Sequence, residues 1–300
     1  MTELQKEIRR LKEATGALIL AHYYQTLDVQ DVADVVGDSY EMARRARDAS
    51  ESTIVVCGVH FMAESAKILS PQKTILLPAP DAGCPMADMV DADDVLALRA
   101  KHPAAQVMCY VNSSAEVKAV SDVCCTSSSA VCLAERLDAD EIIFVPDRNL
   151  GRYVAEQVPN KTFHFHPGFC PIHDRVTVEQ VQKAKERYPN AVFIAHPECQ
   201  EGVLACADFI GSTAQMIRFV RETEAEEIIV GTEIGVLELL SRELPQKKIL
   251  SVAASFVCPN MKKTTLQDVY NALTKGVTEI CLDETQRQAA YASLERMIAL

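Results

Sequence analysis

Residue landmarks recur in step along this chain, and that register constrains its fold more than any single motif. Ser39, Ser127 and Thr213 stand 88 and 86 residues apart. Tyr24, Asn112 and Glu198 give the same two intervals, and Cys84, Cys170 and Cys258 give 86 and 88. The stretches "STIVVCGVHFMAESAKILSPQKTILLPAPDAGCP", "DEIIFVPDRNLGRYVAEQVPNKTFHFHPGFCP" and "EEIIVGTEIGVLELLSRELPQKKILSVAASFVCP" each read as an apolar strand, a helix, a turn, a second strand and a loop ending in Cys-Pro. Upstream, "LILAHYYQ", "VMCYVNSS" and "VFIAHPEC" read as strands ending in polar residues, each preceded by an amphipathic helix. Short β-branched runs alternating with helical patterns predict parallel strands joined by crossover helices, and self-similarity at a fixed period predicts repeated units. The expected fold class is therefore α/β: three homologous three-layer α/β/α domains with parallel sheets around a pseudo-threefold axis. Their expected bounds are 1–87, 88–174 and 175–260. Residues 261–300 read as a partial fourth repeat and a C-terminal helix that complete the first.

The repeat gathers the cysteines. Ligands of parallel α/β units sit beyond the carboxyl ends of the strands. Each Cys-Pro lies in such a loop, so three equivalent loops would bring Cys84, Cys170 and Cys258 together. Three soft thiolates suit zinc or an iron–sulfur cluster rather than magnesium or calcium. A cubane normally takes four cysteines, and with three ligands one iron would be left for substrate. The other eight cysteines (Cys57, Cys109, Cys124, Cys125, Cys132, Cys199, Cys206 and Cys281) read as core residues. The odd total of eleven, with no Cys-x-x-Cys, speaks against a disulfide framework, a zinc ribbon or a thioredoxin-like motif.

Two further rings follow. Ser39, Ser127 and Thr213 sit where a loop feeds a helix, a place that presents free N–H groups to an anion and that also suits ordinary N-capping. The strand ends carry His22, Tyr23, Tyr24, Tyr110, Asn112, His196 and Glu198, groups able to move protons or orient an oxyanion. His173 follows Cys170 by three residues, and His164 and His166 alternate on the strand before it. A net charge of −12 excludes the basic surface that nucleic acid or an anionic membrane would need. No apolar run is long enough to span a bilayer, and the charged start "MTELQKEIRRLKEATG" does not read as a signal peptide. A soluble, cytoplasmic chain is expected.

At this point the ordered motifs "AHYYQ", "GDSYEMA", "CYVNSSAEVKA", "TSSSA", "PDRNLG", "GFCPIH", "AHPEC", "GSTAQM", "GTEIG" and "CPNMKK" resemble quinolinate synthase over nearly the whole chain. The resemblance implies a transferase of NAD biosynthesis. It would condense iminoaspartate, from an upstream L-aspartate oxidase or dehydrogenase, with dihydroxyacetone phosphate, losing phosphate and two waters. It implies one [4Fe–4S] cluster per chain on Cys84, Cys170 and Cys258. It further implies a cavity lined by His22, Tyr24, Tyr110, Asn112, His173, His196 and Glu198, with Ser39, Ser127 and Thr213 holding phosphate and carboxylates. Catalytic roles are expected of Tyr24, Glu198, His22, His196, Tyr110 and His173. Some family members carry Cys-x-x-Cys-x-x-Cys at the third ligand, whereas Cys258 stands alone here. A zinc lyase or aldolase, or a non-catalytic binding module for a phosphorylated metabolite, would use the same residues differently.

Overall fold

The computed structural model describes residues 1–253 and 256–299. Its twelve strands are β1 Leu18–His22, β2 Val35–Gly37, β3 Thr53–Cys57, β4 Thr74–Leu76, β5 Gln106–Tyr110, β6 Val123–Cys125, β7 Glu141–Val145, β8 Thr162–Phe165, β9 Val192–Ala195, β10 Phe209–Ile210, β11 Glu227–Gly231 and β12 Lys248–Ser251. They form three four-stranded sheets of identical order, β2-β1-β3-β4, β6-β5-β7-β8 and β10-β9-β11-β12. Every ladder within them is parallel. The inner strands are continuous apolar runs such as "LILAH", "EIIFV" and "EIIVG", as expected of strands covered on both faces by crossover helices. In each sheet the strand order reverses between the first and third strands of the repeat. That reversal opens a crevice at the carboxyl ends.

Equivalent side chains make equivalent bonds in all three units. Asp34, Asp122 and Asp208 each accept the backbone N–H of the repeat's first strand, from Ile19 at 2.8 Å, Val107 at 2.7 Å and Phe193 at 2.8 Å. Each also pairs with a cation of the preceding helix: Lys12, Arg99 or Lys185. Lys73, Lys161 and Lys247 reach across to carbonyls at the end of a neighbouring helix: Ala46 and Ala49, Leu137 and Ala139, and Val220 and Thr223. Cations suit that end of a helix, where carbonyls lack partners. The leading helices start on the same device. Thr2 with Gln5, Asp91 with Asp94 and Thr177 with Gln180 form capping boxes, and Thr265 with Asp268 opens the partial fourth copy in the same way.

The cores do not follow the repeats one to one. The first two repeats share one large apolar cluster, the other face of the first sheet carries a smaller one, and the third repeat keeps two clusters of its own. The joint is the last helix, Glu284–Ile298, which buries Ala290, Leu294 and Met297 in the shared cluster. Ser293 Oγ donates to Lys118 O of the second repeat at 2.9 Å, while Arg287 bonds Ile68 O of the first at 3.1 Å. The helix Leu266–Lys275 instead joins the N-terminal helix in a cluster on the first sheet. Among the described residues, no helix is long and apolar enough to cross a membrane.

Candidate active site

Carboxyl ends of all three sheets open into one cavity of about 710 Å3, counting its mouth toward solvent. The first repeat contributes His22 and Tyr24 after β1, Ser39 after β2 and Cys84 after β4. The second contributes Tyr110 and Asn112 at the end of β5, Ser127 after β6, and Cys170 and His173 after β8. The third contributes His196 and Glu198 after β9, Thr213 after β10 and Cys258 after β12. All thirteen candidate site residues thus face the same space. His164 and His166 do not. His164 hydrogen-bonds Glu141 at 2.9 Å and stacks on His102, while the His166 ring accepts the Gly168 N–H. Tyr23, adjacent to two cavity residues, packs against a third-repeat core cluster.

Glu198 is the electrostatic centre. It is 4% exposed, accepts from Tyr110 Oη at 2.7 Å, and lies 2.8 Å from His173 Nδ1. Burial alone would raise its pKa. The His196 and His173 imidazoles and the bonds from His173 and Tyr110 outweigh that and hold it well below the usual carboxylate range. His22 and His196 are buried and pushed down, to about 3 and about 4. Burial is the largest cause in both, with Lys262 adding to the effect at His22. Their Nδ1 atoms accept the backbone N–H of Tyr24 and Glu198, at 3.1 and 3.3 Å. An accepting Nδ1 in a neutral imidazole leaves Nε2–H as the donor. Burial and the Glu198 charge raise the Tyr24 phenol well above its ordinary value, so it keeps its proton.

Thr232, which falls in the motif "GTEIG" but was not among the expected site residues, links these groups. Its Oγ1 lies 2.9 Å from Tyr24 Oη and 3.0 Å from His173 Nε2. A hydrogen-bonded chain therefore runs Tyr24–Thr232–His173–Glu198–Tyr110. Tyr24 Oη also meets Thr213 Oγ1 at 3.0 Å.

Two members of the Ser/Thr ring begin helices, and there capping falls to the preceding residue; Ser127 instead lies in the turn three residues before the helix Ala130–Arg136. Asp38 caps the helix Ser39–Asp48, and Ser212 caps the helix Thr213–Glu222. Ser39 and Thr213 are the first helical residues. Their hydroxyls are thus spared from capping and stand beside helix N-termini facing the cavity. Asn112 Oδ1 is buried with no hydrogen-bond partner, an acceptor that a bound donor would satisfy.

The three loop thiols suit a cation. Burial pushes Cys84 up to about 12 and raises Cys170 and Cys258, so each thiol holds its proton until a positive centre replaces it. Among the described residues, the sets whose ligand atoms all lie within 4.8 Å are Cys170–His173–Glu198 and His102–Glu141–His164. The three thiols are not such a set. Three soft thiolate donors facing one cavity fit a zinc ion or an iron–sulfur cluster.

The expectation that the other eight cysteines are core residues needs correction for three. Cys57, Cys109, Cys124, Cys125 and Cys199 are buried, but Cys132 and Cys206 are half-buried and Cys281 is exposed. Cys132 and Cys206 lie on or beside helices on the outside of their units, and Cys281 lies in the loop before the final helix.

By fold and site this is a protein of the three-layer α/β class, with buried ionisable groups set beside three cysteines at the junction of three repeats. Residues 6–299 match the profile of the quinolinate synthetase A protein family. The chain is 49% identical over 299 residues to the quinolinate synthase of Alkaliphilus metalliredigens, covering 100% of this chain and 99% of that one. It is 49% identical over 297 residues to those of Geobacter metallireducens and Methanoregula boonei, covering 99% of this chain and 97% and 98% of theirs. The chain belongs to the quinolinate synthetase A family.

Proposed function

We propose that this chain is a quinolinate synthase of NAD biosynthesis, working in the cytoplasm. It joins iminoaspartate, supplied by an oxidase or dehydrogenase acting on L-aspartate, to dihydroxyacetone phosphate, with release of phosphate and two waters. Family membership supports the reaction. The observation that carries the site is the convergence of thirteen residues, drawn from three repeats, on one cavity.

Cys84, Cys170 and Cys258 would hold one [4Fe–4S] cluster. When bound, it supplies an iron with a free coordination position, a Lewis acid toward substrate oxygen. The remaining work falls to the chain. Ser39, Ser127 and Thr213 bind phosphate and carboxylate oxygens with their hydroxyls, and the helix N–H groups at Ser39 and Thr213 add to that hold. This local anion site explains how a chain of net charge −12 takes up polyanionic substrates. His22 and His196, held neutral by burial, orient substrate oxygens through Nε2–H and add no fixed charge. Asn112 Oδ1 accepts from the substrate. Glu198, ionised and fixed by Tyr110 and His173, takes a proton from the triose carbon. Tyr24, still protonated, donates to a departing hydroxyl. Acid–base groups so placed contribute roughly 10²–10⁴-fold each.

The deciding experiment is anaerobic reconstitution followed by an assay for quinolinate from the two substrates, with iron and acid-labile sulfide measured on the same sample. Quinolinate made at about four irons and four sulfides per chain, the content of one [4Fe–4S] cluster, supports the reading. A zinc-loaded, sulfide-free chain would point to a lyase or aldolase, and a chain that binds phosphorylated metabolites without turnover would point to a binding module.

A further inference from the structure

Two buried carboxylates next to the cavity share one geometry. Asp147 stands two residues beyond β7 and Glu233 two beyond β11, and both have zero exposure. With one oxygen each caps its own helix: Asp147 Oδ1 accepts from Asn149 N and Leu150 N, both at 2.8 Å, and Glu233 Oε2 accepts from Gly235 N at 2.6 Å. With the other oxygen each accepts the backbone N–H of the loop cysteine in its own repeat. Asp147 Oδ2 lies 2.9 Å from Cys170 N, and Glu233 Oε1 lies 3.1 Å from Cys258 N. Holding a cysteine's N–H fixes where its Cβ and sulfur point.

The first repeat breaks the pattern. Its equivalent position is Val59, which makes no side-chain cap. The Cys84 loop is tied instead to the third repeat's loop. Asn260, two residues after Cys258, donates from Nδ2 to Gly83 O at 2.9 Å, and Lys263 Nζ reaches Asp81 O at 2.6 Å. Lys262 completes the tie, pairing with Glu233 at 3.1 Å and donating to Tyr24 O at 2.5 Å.

We propose that Asp147 and Glu233 are positioning residues that clamp the cysteine loops, and that Asn260 hangs the first loop from the third. This rests on the reading of Cys84, Cys170 and Cys258 as cluster ligands. The dependence is directional. Releasing Asp147 frees Cys170 alone. Releasing Glu233 frees Cys258 and, through Asn260, Cys84.

The test is the rate at which a chelator strips iron from the anaerobically reconstituted enzyme, read as bleaching of the cluster absorbance. The set is wild type, Asp147→Asn, Glu233→Gln, Asn260→Ala and a control, Asp283→Ala. The control removes the cap of the last helix, which accepts from Gln286 N. We expect the three loop variants to lose iron several-fold faster, up to about tenfold, the factor set by one hydrogen bond, while the control matches wild type. Adding Asn260→Ala to Glu233→Gln should accelerate loss less than the product of the single effects, because both act on one path. Loop variants that lose iron at the control's rate overturn the proposal. If the two acid variants do not fold, Asn260→Ala decides alone: an unchanged rate refutes the clamp. A wild-type chain that takes up no iron and sulfide at all defeats the ligand reading instead.

Discussion

Replacing Glu198 with Gln removes the charge at the centre of the cavity and little else. The carboxylate accepts from Tyr110 at 2.7 Å, lies 2.8 Å from His173 Nδ1, and is 4% exposed. A glutamine keeps one acceptor oxygen and the same length. It forfeits about 1.5–3 kcal/mol for each charge-assisted bond it weakens, offset by removal of the cost of burying a charge. The net change in stability should stay within about 2 kcal/mol. The change in rate is of another order, since a side-chain amide cannot take a proton from carbon: kcat should fall roughly 10²–10⁴-fold. KM should move far less, because the hydroxyls of Ser39, Ser127 and Thr213 remain to hold substrate. Glu198→Asp keeps the charge but retracts it by about 1.5 Å, one C–C bond, and should give an intermediate loss. The assay is anaerobic steady-state quinolinate formation on samples matched for iron content. If Glu198→Gln, with its cluster intact, keeps kcat within about tenfold of wild type, Glu198 is not the base.

Thr232→Val keeps the shape but cuts the bridge between Tyr24 and His173, and should lower kcat about tenfold, the value of one buried hydrogen bond at the upper end of its range, with little change in iron content. Lys73→Met leaves the Ala46 and Ala49 carbonyls without their partner and should lower stability by about 1–3 kcal/mol in chemical denaturation, leaving kcat/KM as in wild type. Stability should also fall on acidification. His22 and His196 titrate near 3 and 4 in the folded chain but near ~6.5 when unfolded. The unfolded state therefore binds more protons below pH ~6.5, and stability drops as pH falls from there toward 4. Denaturation of the metal-free chain at pH 7.0 and 5.0 measures the drop, and a His196→Gln variant should show a shallower one.

Much of this was legible because the repeat supplies internal evidence. Ser39, Ser127 and Thr213, or the three loop cysteines, would each pass singly for a cap or a core residue. In step, they locate strand ends of equivalent units, and parallel topology puts strand ends around one crevice. Other aligned sets were equally in register and went unread. Asp34, Asp122 and Asp208, and Lys73, Lys161 and Lys247, look like ordinary surface charges until the sheets show what they bond. The position of the last helix was not legible either. Its apolar face is satisfied equally by either neighbour in sequence terms, and only packing decides that it bonds Lys118 and Ile68 at once.

The functional asymmetry lies where the repeats differ. A threefold scaffold would put the same side chain at each strand end, whereas the proposed reaction calls for a base, a phenol and an amide that act differently on one substrate. Tyr24, Asn112 and Glu198 occupy one register position and supply those three chemistries. Val59, Asp147 and Glu233 occupy another, and there the same divergence shapes the loops: two carry their own buried acid, and the third leans on a neighbour. Triplication makes the cavity, and divergence at matched positions makes it chemically directional. A variant that restores symmetry should therefore harm the enzyme even where it looks conservative. Asn112→Glu would place a second carboxylate in the cavity that already holds Glu198. Like charges there would raise one of the two pKa values, and the pH dependence of kcat/KM should gain an acid limb that wild type lacks. A profile that stays flat through that range would show that the two register positions do not meet across the cavity as described.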